Sequence, residues 1–159
     1  MEKKILNIEF ISCTYEDLLP DDALLVSRAK EMCASSYAPY SGFSVGAAVL
    51  LNNGEIISGS NQENAAYPSG TCAERCTMFY ANARYPDAAP LAIAIAAKNE
   101  TGLFTPTPIT PCGACRQVLI ETQHRYKCPI RVLLYGEKFT YCLNSVSDLL
   151  PFQFDSDAL

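Results

Sequence analysis

The sequence predicts an α/β fold, a three-layer αβα sandwich with a central mixed β-sheet, and three observations carry that prediction. Segments with helical spacing alternate with short β-type runs. Two of those runs are joined by Asn52-Asn53-Gly54, a hairpin signal. A third, Leu91-Ala92-Ile93-Ala94-Ile95-Ala96-Ala97, is apolar throughout, as a strand covered on both faces must be. Helices and strands in this order stack as helix, sheet, helix.

Asp21-Asp22 ahead of Ala23-Leu24-Leu25-Val26 marks the first helix start, and the apolar spacing continues through Ala29, Met32 and Cys33 until Pro39 forces extended backbone. The hairpin follows, from Phe43 to Leu51 and from Glu55 to Gly59. Cys72, Cys76, Phe79 and Ala83 recur at i, i+4, i+7 and i+11, so a helix over 72–83 is expected to turn this sulfur-rich face inward. After the strand at 91–97, a loop with Pro106, Pro108 and Pro111 leads into a helix from Cys112 to about Gln123. Arg131-Val132-Leu133-Leu134-Tyr135 supplies one more strand.

With 159 residues and no internal repeat or linker, a single domain over 1–159 is expected. Hydrophobic residues at 49% against 18% charged exclude the disordered classes. The net charge of −5 disfavours nucleic acid or an anionic membrane as partner and favours a small ligand. No apolar run approaches the ~20 residues of a membrane span, and Asn7 and Glu9 interrupt the amino-terminal apolar stretch, so a cytoplasmic location is expected. The eight cysteines are then expected to be reduced.

The single histidine, His124, excludes a metal site of two or three imidazoles within one subunit. At about 100° per residue it falls opposite Cys115 on their shared helix, at the surface. Thiolates remain as ligands. Pro111-Cys112-Gly113-Ala114-Cys115 places two thiols at i and i+3 on one face of a helix start. Cys72 is the third candidate, because it also opens a helix, where free amides and the dipole favour a thiolate. Three thiolates on one Zn²⁺ leave a fourth position for water, which separates a catalytic zinc from a closed structural one. Arg75, three residues after Cys72, can donate hydrogen bonds to the thiolates and offset their charge, and Gln117 can help to orient them.

Regular helical spacing puts Glu74 about 160° from Cys72, so both serve one water only where it sits beyond the helix end. A carboxylate there, near the metal but not bound to it, takes a proton from the water and hands it to a leaving group. Two other readings of these cysteines stand beside this one. C-x-x-C is also a redox motif, although such a site calls for neither Cys72 nor Glu74. A closed structural zinc needs a fourth ligand, which Cys76 supplies only by reaching back a full turn. Cys13, Cys33, Cys76, Cys128 and Cys142 read as ordinary thiols.

Cys72-Ala73-Glu74-Arg75, followed 40 residues later by Pro111-Cys112-Gly113-Ala114-Cys115-Arg116-Gln117, closely resembles the cytidine deaminases of the small homotetrameric type that uses three Cys. The likeness runs from about Tyr37 to Phe154. It includes Tyr37-Ala38-Pro39-Tyr40-Ser41-Gly42-Phe43-Ser44-Val45-Gly46-Ala47-Ala48 and Asn61-Gln62-Glu63-Asn64-Ala65-Ala66-Tyr67. The resemblance implies a cytidine deaminase-like fold and one Zn²⁺ per subunit on Cys72, Cys112 and Cys115. It implies Glu74 as proton carrier and hydrolysis of cytidine and 2′-deoxycytidine to uridine and 2′-deoxyuridine with release of ammonia, a reaction of pyrimidine salvage.

Carried over residue by residue, the resemblance puts Phe43 near the pyrimidine, Asn61 and Glu63 on the ribose hydroxyls, and the Ala73 amide on the base carbonyl. The Thr110 carbonyl would meet the departing amino group. Tyr67 and Phe154 would reach a neighbouring subunit's site, so the homotetramer would share its active sites. Thr110 stands where Ser is usual, Gly42 where Lys is frequent, and Cys76-Thr77-Met78 where smaller residues are common. The first 15 to 20 residues exceed compact members.

Four rival functions are weighed against this one. Nucleoside monophosphates are disfavoured because no Lys or Arg occurs between Lys30 and Arg75. Another aminated heterocycle, such as blasticidin S, suits Asn61 and Glu63 less well than ribose does. A zinc-binding interaction protein without catalysis would not need Glu74. Polynucleotide editing is disfavoured by the acidic charge and the lack of a basic stripe.

Overall fold

The computed structural model describes residues 1–159, the side chain of Ala158 aside. A six-stranded sheet is built from β1 (Ile11–Cys13), β2 (Ser44–Leu51), β3 (Ile56–Ser60), β4 (Pro90–Lys98), β5 (Arg131–Leu134) and β6 (Thr140–Leu143), in the order β1-β6-β5-β4-β2-β3. It is mixed, as expected: β4 and β5 run parallel and the other neighbours antiparallel. Three α-helices accompany it, α1 (Pro20–Met32), α2 (Ala73–Arg84) and α3 (Gly113–Tyr126). Pro20 opens α1 and Asp21 and Asp22 fill its first turn, where a fixed φ and negative charge suit a helix start.

The topology positions the site. β2 is antiparallel to both β3 and β4, so β3 and β4 run the same way, and β5 runs with them. α2 connects β3 to β4 and α3 connects β4 to β5. Crossovers between parallel strands share one hand, which puts both helices on one face with their amino termini over the same sheet edge. Cys72 and Cys112 are the residues that cap those two helices.

The two faces pack differently. On one side Leu25, Val26, Ala29 and Cys33 of the α1 segment lie against Ala48, Ala92, Ala94 and Ala96. On the other, Met78, Ala81, Leu119 and Ile120 of α2 and α3 lie against Val49, Ile93, Ile95, Val132 and Leu134. Successive side chains of a strand point to opposite faces, so β4 offers alanines to α1 and isoleucines to α2 and α3. Small residues let α1 come close. A Cβ at Gly46 would stand 2.0 Å from the carbonyl oxygen of Ala29, so this glycine is needed for the approach. Arg131 at the start of β5 grips Asp22 at the start of α1 through both carboxylate oxygens, at 2.6 and 2.9 Å.

One expectation is corrected. The inner face of α2 is Ala73, Glu74, Thr77, Met78 and Ala81, not the stripe of Cys72, Cys76, Phe79 and Ala83, and Phe79 is 52% exposed. Both stripes have helical spacing, and the Met78-bearing one wins because it faces the isoleucines of β4. His124 lies at the surface as expected, partly covered by the carboxy-terminal segment, with Nε2 3.7 Å from the Asp155 carboxylate and 3.3 Å from Gln153. The amino-terminal segment, for which the sequence offered no role, contributes β1 to the sheet edge, and Phe10 packs edge-on to Tyr141 at 4.8 Å between ring centres.

Candidate active site

Cys72 and Cys112 are both extended residues immediately ahead of a helix, and Cys115 is the third residue of α3. The sequence expectation had Cys72 already on the helix, so the 160° separation from Glu74 does not apply. Glu74 is the second residue of α2 and points inward. The three sulfurs lie within 4.8 Å of one another, with 3.9 Å between Cys72 and Cys112 and 3.5 Å between Cys112 and Cys115. Tetrahedral zinc with bonds of about 2.3 Å needs sulfurs roughly 3.8 Å apart, so the residues fit the ion. The donor set fits as well, since all eight cysteines are free and Cys76 lies outside the cluster.

The electrostatics favour thiolate at Cys72. A hydrogen bond from the Cys115 thiol and the neighbouring Arg75 guanidinium hold the Cys72 thiol down to about 5, against burial. Arg75 Nη2 stands 4.0 Å from the Cys72 sulfur, and its Nε is buried without a partner among the described residues, a donor in reserve beside the cluster. Glu74 is only 4% exposed. Burial pushes its carboxyl above the ordinary glutamate value, and the charge on Cys72 pushes the same way. A buried carboxyl that keeps its proton more readily than usual, beside three sulfurs, is suited to moving protons rather than to binding a cation.

In front of Cys72 and Arg75 opens a cavity of about 520 Å³, walled also by Tyr40, Asn61, Glu63 and Tyr67. That volume suits a small ligand. Asn61 Oδ1 accepts from the Val45 amide at 2.8 Å and from the Ser36 hydroxyl at 2.6 Å, and its Nδ2 donates to the Phe43 carbonyl at 2.9 Å. Glu63 Oε2 accepts from the amides of Tyr40 and Ser41, at 2.8 and 3.3 Å. Tyr67 is 76% exposed at the rim, edge-on to Tyr40.

The other expected residues are placed as follows. Ala73 is buried at the first position of α2, where its amide lies outside the helical ladder. Phe43 is half-buried just before β2, outside the cavity wall. Thr110 is exposed, with its hydroxyl accepting from Arg116 at 3.2 Å. Gln117 donates to the Phe154 carbonyl at 2.8 Å rather than to a thiol, so it holds the carboxy-terminal segment. Phe154 itself is 60% exposed. Sequence reasoning passed over Ser36, Ser41 and Arg116. The polar Ser35-Ser36 and Tyr40-Ser41 pairs flanking Pro39 were the available signal for the first two.

The family model described as the cytidine and deoxycytidylate deaminase zinc-binding region matches residues 20–129. The cytidine deaminase of Halalkalibacterium halodurans is 37% identical over 139 residues, which cover 86% of this chain and 96% of the relative. That of Sporosarcina psychrophila is 41% identical over 135 residues, covering 85% and 92%. Among solved structures, the cytidine deaminase of Burkholderia pseudomallei superposes with a TM-score of 0.69 at 40% identity, over 82% of this chain and 97% of that one.

Proposed function

The chain belongs to the cytidine and deoxycytidylate deaminase family, and on that premise we propose that it hydrolyses cytidine and 2′-deoxycytidine to uridine and 2′-deoxyuridine, releasing ammonia, in pyrimidine salvage. The observation that carries the reading is the buried Glu74 carboxyl beside three sulfurs gathered within 4.8 Å. Cys72, Cys112 and Cys115 would hold one Zn²⁺ per subunit, which when bound supplies Lewis-acid activation of water. The whole of 1–159 would act as a single domain in the cytoplasm.

Glu74 is the proton carrier. It gives a proton to N3 of the ring, which makes C4 electrophilic, and a second to the departing amino nitrogen, both drawn from the attacking water. Water and cytidine thus balance uridine and ammonia. The Ala73 amide donates to the base carbonyl, and the Thr110 carbonyl accepts from the amino group as it leaves. Arg75 offsets the charge of the thiolates. Phe43 lies near the pyrimidine ring, as an aromatic face suits a flat base.

The sugar falls to Asn61 and Glu63. Each has bonding capacity left after its contacts with the chain: one N–H on Asn61 and the Oε1 oxygen on Glu63. Those two groups match vicinal hydroxyls as donor and acceptor. The exposed rings of Tyr67 and Phe154 would complete a neighbouring subunit's site in a homotetramer, with Gln117 fixing the segment that carries Phe154. Ammonia release from cytidine by protein of known zinc content tests the assignment. Zinc-replete protein silent on cytidine and active on another aminated ring, such as blasticidin S, would overturn it.

A further inference from the structure

Residues 107–111 lead through Thr110 into Cys112, and no backbone–backbone hydrogen bond holds them among the described residues: the ties stop at Pro106, whose carbonyl accepts from Lys138. The loop is nevertheless packed closely, since a Cβ at Gly136 would stand 2.6 Å from the nitrogen of Pro108. Its polar anchorage comes from one side chain. Arg116, the residue after Cys115, donates from Nε to the Pro111 carbonyl at 2.9 Å and from Nη2 to the Thr110 hydroxyl at 3.2 Å. Its third bond, from Nη1, reaches the Leu149 carbonyl at 2.7 Å, at the end of a 3₁₀ turn spanning Val146–Leu149.

We propose that Arg116 is a positioning residue for the deamination, its guanidinium tying Thr110 and Pro111 to Leu149 and so fixing the backbone from which the Thr110 carbonyl meets the leaving amino group. The inference rests on the substrate reading above. A guanidinium is a rigid planar fork with donors on all three nitrogens, so three acceptors in different directions set its position and it in turn sets theirs. Lysine keeps the charge but is a point donor that cannot span the three. The Leu149 bond makes the arrangement more than local, because it ties the loop to a segment 33 residues beyond Arg116 that has its own cap, Ser145.

Arg116→Lys is the decisive variant, with two readouts besides zinc content. One is kcat for cytidine. The other is the inhibition constant of a pyrimidin-2-one ribonucleoside, which has the base carbonyl and the ribose but no amino group. A misplacement of about 1 Å at the reacting centre costs on the order of 100-fold, so a fall of roughly 30- to 100-fold in kcat is expected. Zinc content should stay the same and inhibition should change by less than about threefold. A kcat close to wild type overturns the proposal, and so does an equal loss of turnover and inhibitor binding, which a purely structural role would give.

If Arg116→Lys does not fold, Thr110→Val removes one acceptor and leaves the two carbonyls. A smaller fall in kcat with unchanged inhibition is then required, and an unchanged kcat overturns the proposal. A zinc-loaded wild type that releases no ammonia from cytidine overturns the substrate reading and this inference together. An active wild type with an unimpaired Arg116→Lys overturns this inference alone.

Discussion

Asn61 and Phe43, eighteen residues apart, are joined by a hydrogen bond of 2.9 Å from the side-chain amide of one to the main-chain carbonyl of the other. With the bonds from Val45 and Ser36, three of the four positions on that amide are spent on the chain. Asn61→Ala is therefore expected to lose about 2 kcal/mol of stability along with a rise in KM for cytidine. Glu63→Gln should raise KM with a smaller loss of stability. Urea unfolding and steady-state kinetics on both variants separate the effects, and an Asn61→Ala protein as stable as wild type would contradict the geometry.

Glu74→Gln keeps the shape of the side chain and removes its ability to carry a proton. General acid–base catalysis contributes typically about 10²- to 10⁴-fold, and a fall in kcat of that order is expected. The variant should fold, bind zinc and still bind cytidine. Residual activity within tenfold of wild type would remove Glu74 from the reaction.

Prolonged dialysis against a strong chelator should abolish ammonia release, and one equivalent of Zn²⁺ per chain should restore it. Cys112→Ala is expected to resist restoration, because two thiolates bind far more weakly than three. Full activity in protein shown by elemental analysis to be metal-free would refute the proposed centre.

The Glu63 carboxyl is held below the ordinary glutamate value of 4.5, first by the Ser41 side chain and then by the Tyr40 amide. A proton binds more weakly to Glu63 in the folded chain than in the unfolded one. The ionised form therefore stabilises the fold above the unfolded value, and that contribution is lost as pH falls through the lowered one. Ser41→Ala gives up part of it. The variant should be less stable than wild type near neutrality and converge with it in acid, as read from urea midpoints between about pH 6 and about pH 3. A stability difference that does not change with pH would rule out Glu63 as its source.

The elements that place the site were legible where local chemistry marked them. Pro111 and the paired cysteines announce the start of α3, Asn53-Gly54 announces the hairpin, and the unbroken apolar run of β4 announces a covered strand. The inward face of α2 was not legible, because Cys72, Cys76, Phe79 and Ala83 repeat as regularly as the stripe that is buried, and periodicity cannot rank two stripes. β6 is four residues long, and β1 is three residues that pair with it from the far end of the chain, so neither carries a local signal. The bond from Arg116 to Leu149 was invisible for the same reason, since the two lie 33 residues apart.

Alternation along β4 also limits how the chain can change in length. Ala92, Ala94 and Ala96 meet α1, while Ile93 and Ile95 meet α2 and α3. Inserting or deleting one residue within Pro90–Lys98 would swap the two sets beyond that point, forcing branched side chains against α1 and leaving voids beneath the thiol-bearing helices. A change of length in a turn outside Pro90–Lys98, such as that at 52–55, leaves the parity of β4 intact.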